Sequence, residues 1–255
     1  MPVSEQSSDK RAAPKPLIGV LCCNEVAQRP VQTVASRFID PLVHMSEASV
    51  LLVPALINGV DVGDIAARLD GLLLTGSRSN VSPQRYGGSD TDIGRIDEQR
   101  GEVALRLAGT LIEGGKPVFG ICRGLQELNV LFGGSLRDMD PGAHHHEDDL
   151  AYHELFDHMH DVDLMPGGLL TEGGPGRRVS VNSVHMQGID RLASGLNIEA
   201  VSTLDGVIEA ISARPLEAEV LAVQWHPEWA GAQCTVSKTF FGVIGEALRR
   251  QRQRG

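Results

Sequence analysis

Lys116-Pro117-Val118-Phe119-Gly120-Ile121-Cys122-Arg123-Gly124-Leu125-Gln126-Glu127-Leu128 is the stretch on which the reading of this chain turns. Pro117 to Ile121 is a short apolar run of strand length, and Gly124 to Phe132 continues with helical apolar spacing. Between them, Gly120-x-Cys122-x-Gly124 has the form of a nucleophile elbow with Cys in place of Ser. Its two glycines allow a sharp turn and a close approach of strand and helix. Such a turn presents the thiol at the carboxyl edge of the sheet, where open α/β folds bind ligands. The N–H groups that open the helix then point at the sulfur and favour thiolate, the reactive form. Taken alone, the segment also fits a buried cysteine at a strand end.

Outward from the elbow, strand-like and helix-like signals alternate. Leu17 to Cys22, Ser49 to Val53 and Gly71 to Leu74 read as strands. Val31 to Ala48 (interrupted by Pro41), Val62 to Leu69 and Gln99 to Glu113 read as helices. This order predicts a three-layer α/β fold, a mostly parallel central sheet flanked by helices. Later, Arg178 to Val181, Glu199 to Ser202, Val207 to Ala213 and Val220 to Gln224 read as short strands, and Thr235 to Arg249 as a closing helix. Residues 138 to 161 hold six of the nine histidines and few apolar groups, so a long solvated loop is expected there. Residues 1–16 read as a loose tail and 17–250 as a single domain.

The elbow's partner lies downstream. The strand Val220 to Gln224 runs into Trp225-His226-Pro227-Glu228-Trp229. A neutral imidazole beside a thiol takes its proton and later returns it to a leaving amine. A carboxylate two residues on, in extended chain, falls on the same side as the histidine. It can fix the tautomer and stabilise the imidazolium. Separately, His226 reads as a satisfied strand-end histidine and Glu228 as a solvated charge; the combination with the elbow favours catalysis. Leu72-Leu73-Leu74-Thr75-Gly76-Ser77 is a strand ending in a small-residue turn. Its N–H groups, Gly76 foremost, pair naturally with that of Arg123 as an oxyanion hole, or form a plain turn.

The bulk numbers narrow the function classes. A net charge of −10 argues against a nucleic-acid or anionic-membrane surface as main partner. Four scattered cysteines make no disulfide framework and no C-x-x-C pair, which points to a reducing compartment, the cytoplasm. Met1 to Lys10 has no apolar signal core, and runs such as Val50 to Leu56 are too short to span a bilayer. The histidine-rich tract (His144, His145, His146, His153, His158, His160) has no helical H-x-x-x-H with a third ligand. Cys-His hydrolysis needs no metal, so neither metal nor cofactor is expected.

Together these motifs resemble the class I glutamine amidotransferases, which carry a Cys-His-Glu triad on a flavodoxin-like α/β sheet. The likeness runs from about Leu17 to the closing helix. It implies Cys122 as nucleophile, His226 as base and Glu228 as its orienter. Thr75-Gly76-Ser77-Arg78-Ser79-Asn80-Val81-Ser82-Pro83, Cys122 to Asn129, and Val181-Asn182-Ser183-Val184-His185-Met186-Gln187 are similar to the free-standing γ-glutamyl hydrolase branch, including the γ-glutamyl-γ-aminobutyrate hydrolases of bacterial polyamine and putrescine breakdown. The implied activity is hydrolysis of a γ-glutamyl amide to glutamate and an amine through a cysteine thioester. A glutaminase subunit serving a synthetase is the alternative. Substrate-binding candidates are Arg100 and Arg123, suited to a carboxylate by their bidentate fork, together with Gln126, Ser183, His185 and Gln187. The last three alternate along extended chain and share one face. Gly101 stands where the branch usually has Asp. The only partner implied is the small-molecule amide; the chain acts alone or as a homo-oligomer.

Overall fold

In the computed structural model, residues 14–88, 94–140, 144–145, 150–151, 153–174, 176–230 and 234–254 are described. In chain order the elements are β1 (Leu17–Leu21), β2 (Cys23–Ala27), β3 (Arg29–Thr33), α1 (Ser36–His44), β4 (Ser49–Val53), α2 (Val62–Arg68), β5 (Gly71–Leu74), α3 (Glu98–Glu113), β6 (Val118–Ile121) and α4 (Arg123–Leu131). Then come β7 (Ser135–Asp138), β8 (Met159–Leu164), β9 (Arg178–Asn182), β10 (Gln187–Arg191), β11 (Asn197–Ser202), β12 (Ile208–Ala213), β13 (Val220–Val223), α5 (Pro227–Ala230) and α6 (Thr235–Arg254).

Nine strands form one sheet in the order β4-β1-β5-β6-β13-β12-β11-β8-β9. The pairings from β4 through β13 are parallel, and those from β13 to β9 are antiparallel. The sheet is therefore mixed: a parallel half built by βα units, extended by antiparallel strands from the second half of the chain.

Alternation of side chains along each strand places helices on both faces. Leu72, Leu74, Val118, Val220 and Ala222 pack with α2, α3 and α4 through Ala66, Leu107, Leu111 and Leu125. Ile18, Val20, Leu73, Phe119 and Leu221 face the other way, against Leu42 of α1 and Phe240, Phe241 and Ile244 of α6. Complete burial of such a side chain contributes about 1.5 to 3 kcal/mol. The helix N-caps are local: Asp61 accepts from the N–H of Asp64, and Asp97 from that of Arg100.

Three departures from the sequence expectation have physical causes. The helix expected over Val31 to Ala48 is confined to Ser36–His44, because β2 and β3 form a hairpin that turns at Gln28 with φ 61°. The hairpin strands lack an apolar period, and Val26 is exposed, so no strand signal stands out. Strands β7 and β10 form a separate pair whose short length hides them. Finally, the expected loop 138–161 contains a 3-10 turn at Glu154–Asp157 and the start of β8. His144 and His160 within it are buried, not solvated. His146 lies outside the described residues.

Candidate active site

Three adjacent parallel strands, β5, β6 and β13, end at the same edge of the sheet. Gly76 follows the first, Cys122 the second and His226 the third. The register Ile121↔Val223 fixes the neighbours, and the Cys122 N–H donates to Val223 O at 2.8 Å. Residues more than a hundred positions apart are thus joined by one ladder.

Cys122 sits at φ 51°, ψ −106°, a region L-residues avoid. Such strain costs about 1 to 3 kcal/mol and persists only where the surroundings impose it. Here the turn is wedged between two glycines. A Cβ on Gly120 would lie 2.6 Å from the backbone of Gly124, and one on Gly124 would lie 2.3 Å from Leu74 O. No side chain fits either position, so strand, turn and helix pack backbone to backbone. The helix α4 opens immediately after the thiol, which places its unpaired N-terminal N–H groups beside the sulfur.

His226 Nδ1 lies 2.7 Å from Glu228 Oε1, a charge-assisted distance. The pairing leaves Nε2 for the thiol side. Burial opposes charge on this imidazole, but the Glu228 carboxylate and the Cys122 thiolate outweigh it and push its pKa up to about 10. The ring meets Phe156 edge-on at 5.0 Å, and Phe156 stacks on Trp229 at 4.0 Å. Asn182 holds the backbone of the same residue: its Oδ1 accepts from His226 N–H at 2.8 Å and its Nδ2 donates to His226 O at 3.2 Å.

The Thr75–Gly76 turn approaches from the other side. A Cβ on Gly76 would fall 2.7 Å from His226 Cε1 and 3.5 Å from Cys122 Cβ, so only glycine admits this approach. Thr75 Oγ1 donates to Leu21 O and Arg100 Nη2 donates to Thr75 O, which fastens the turn to the sheet. Cys122, Gly76 and His226 open into a cavity of about 450 Å³, within the size range of small-molecule sites.

The profile of the Peptidase C26 family matches residues 16–228. The chain belongs to the Peptidase C26 family. This family is a branch of the class I glutamine amidotransferase-like hydrolases. The γ-glutamyl-γ-aminobutyrate hydrolase of Escherichia coli O157:H7 is 35% identical over 237 residues, 89% of this chain and 91% of that protein. A putative glutamine amidotransferase of Mycobacterium tuberculosis is 34% identical over 224 residues, 85% of this chain and 70% of that protein. A putative GMP synthase subunit from Thermoplasma acidophilum shares the fold, with a TM-score of 0.62 over 94% of this chain and 98% of that one at 19% identity.

In this Peptidase C26 chain the remaining sequence candidates divide by position. Arg123, Gln126, His185 and Gln187 line the cavity. The Arg123 side chain is buried and committed: Nε pairs with Glu127 at 2.9 Å, and Nη1 donates to Ser79 O and Oγ. Gln126 Nε2 donates to Gln187 O at 2.7 Å, which ties α4 to β10. Arg100 and Ser183 are not among the lining residues. Arg100 is fully buried beneath the Thr75 turn, 3.5 Å from Glu127, whose charge overcomes burial and keeps the guanidinium pKa above its usual value. Ser183 Oγ donates to His144 O. Gly101 faces Arg85, whose Nε would be 3.2 Å from an added Cβ and whose fork pairs with Glu98 and Glu102.

Sequence reasoning passed over Arg37, Arg78, Phe156 and Asn182. Arg37 lines the cavity from α1, stands 4.0 Å from Glu228, and lies over the Trp229 ring at 4.5 Å. Nothing in its helix marks it; only the packing of α1 against α5 brings it there. Arg78 is the exposed arginine of the lining. Among the described residues, no helix is long and apolar enough to cross a membrane.

Proposed function

We propose that this chain hydrolyses a γ-glutamyl amide, γ-glutamyl-γ-aminobutyrate or a related γ-glutamylated amine, to glutamate and the free amine. The observation that carries the reading is the meeting of Cys122 and His226 across Gly76, with Glu228 hydrogen-bonded behind the imidazole. The Cys122 thiolate attacks the γ-carbonyl. The N–H groups of Gly76 and Arg123 hold the developing oxyanion, a contribution of about 3 to 4 kcal/mol per donor. His226 protonates the departing amine. It then takes a proton from water as that water attacks the thioester, and glutamate leaves.

For the α-carboxylate of the glutamyl group, the exposed Arg78 at the cavity replaces the buried Arg100 as the cationic candidate. Gln126, His185 and Gln187 supply the polar wall. The likeness to γ-glutamyl-γ-aminobutyrate hydrolases over most of both chains supports this substrate class and, through it, a place in polyamine breakdown. The likeness to a putative glutamine amidotransferase keeps glutamine as the competing substrate.

The test is turnover of γ-glutamyl-γ-aminobutyrate beside its α-glutamyl isomer and free glutamine, with Cys122→Ala as the control. The γ-glutamyl amide turns over fastest and the control is inactive. Preferential ammonia release from glutamine replaces this reading with a glutaminase; equal activity in Cys122→Ala removes the mechanism.

A further inference from the structure

Behind the cavity wall, three imidazoles converge on one carboxylate. Glu209 of β12 is fully buried. Its Oε1 lies 3.4 Å from His144 Nδ1, 3.4 Å from His160 Nε2 and 3.4 Å from His185 Nε2. None of these contacts has hydrogen-bond geometry, and among the described residues neither Glu209 oxygen finds a hydrogen-bond partner. A buried carboxylate without a hydrogen bond is costly, by several kcal/mol in general.

The hydrogen bonds on the far sides of the rings determine what faces the carboxylate. His144 Nε2 lies 2.9 Å from Asp205 Oδ2, an acceptor, so Nε2 carries the hydrogen. His185 Nδ1 lies 3.1 Å from Gln187 O, again an acceptor, so Nδ1 carries the hydrogen. In the neutral rings, His144 Nδ1 and His185 Nε2 therefore turn lone pairs toward Glu209. Lone pairs facing a carboxylate oxygen repel unless a cation lies between them. A proton is a poor fit, because charge-assisted N–H···O bonds close to about 2.7–2.9 Å. A separation of 3.4 Å instead matches the edge of a tetrahedron whose metal–ligand bonds are about 2.1 Å. The His144–Asp205 pair also has the form of the carboxylate–histidine support that orients metal-bound imidazoles.

We infer that His144, His160 and Glu209, with His185 against the same carboxylate, form a buried site for a divalent cation of the zinc type. The coordinating atoms of the first three residues lie within 4.8 Å of one another. Imidazole nitrogens with a carboxylate oxygen suit zinc, and the burial of all three residues fits a structural role. Its place in the fold gives it a task. Ser183 Oγ donates to His144 O, Asn182 grips His226, and His185 lines the cavity. The metal thus anchors the 182–187 connection that supports the catalytic histidine. The inference does not depend on the substrate proposed above.

The experiment uses full-length chain prepared without a histidine tag. Elemental analysis finds about one zinc per chain, and the X-ray absorption shell is nitrogen and oxygen only, at about 2.0–2.1 Å. After chelator treatment, added Zn²⁺ raises the thermal midpoint by more than about 4 °C. His160→Ala and Glu209→Gln abolish both zinc content and that shift, whereas Cys122→Ala retains both. The site is overturned by a wild-type chain that neither contains zinc nor gains stability from it. It is equally overturned by a sulfur ligand in the absorption shell, which places the metal at a cysteine, or by full zinc content in the two variants. The absorption measurement needs no variant, so it decides the matter even if the substituted chains fail to fold.

Discussion

His226 Nδ1 and Glu228 Oε1 stand 2.7 Å apart, and both residues are buried at the end of β13. Because the carboxylate is only two residues from the imidazole, the pair is assembled locally, by the turn that Pro227 begins. Its orientation comes from elsewhere: Asn182 clamps the His226 backbone, Phe156 packs on the ring edge, and Arg37 approaches Glu228 from α1. Cys122 arrives on a neighbouring strand.

Glu228→Gln removes one of the two anions that hold His226 near 10 against the opposing effect of burial. The sign follows directly. A raised pKa keeps the imidazolium protonated, able to donate to the leaving amine, until the pH approaches 10; loss of the carboxylate lowers that limit. The alkaline limb of kcat/KM therefore moves to lower pH in the variant. The maximal kcat falls by about 10² to 10⁴, less than in Cys122→Ala. A pH–rate profile of both proteins checks this, and an unmoved alkaline limb refutes it.

Gly76→Ala and Gly124→Ala fail in different ways. At Gly124 the new Cβ meets backbone, Leu74 O at 2.3 Å, which cannot yield; the urea midpoint drops by the equivalent of about 3 kcal/mol. At Gly76 the Cβ meets the imidazole tip at 2.7 Å, which can move. Stability there changes little while kcat falls by about 10², since a displaced base is the whole effect. Denaturant melts run beside kinetics separate the two.

Asn182→Ala deletes both hydrogen bonds to the His226 backbone. The expected cost is about 2 kcal/mol in unfolding free energy and a loss in kcat of about 10- to 100-fold. KM should stay near the wild-type value, because Asn182 is not in the cavity lining. A variant with normal kcat shows that the clamp is dispensable.

Arg100→Met removes one of the two arginines paired with Glu127 among the described residues and strips Thr75 O of its donor. Breaking a buried ion pair from one side costs about 3 to 5 kcal/mol. Soluble yield and urea midpoint fall, and the folded remainder keeps its KM. A selective rise in KM with unchanged stability instead returns Arg100 to substrate binding.

What the sequence alone determined lies within single segments. The elbow at Cys122, the strands Leu17–Leu21, Gly71–Leu74 and Val118–Ile121, and the pairing of His226 with Glu228 are local patterns: apolar runs, paired glycines, a two-residue spacing, although the extended chain expected at Glu228 is instead the first turn of α5. Their arrangement is legible because the geometry that produces it is set by neighbours along the chain. The tertiary structure decided everything that depends on pairing across the sheet. It set β13 beside β6, so that His226 meets Cys122, and it buried Arg100 beneath the Thr75 turn, where sequence placed it at the substrate. It also drew His144, His160, His185 and Glu209 together from four separate segments, which no ligand spacing could announce. Residues brought together by strand order leave no period in the sequence, because the distance between them along the chain carries no information about their distance in space.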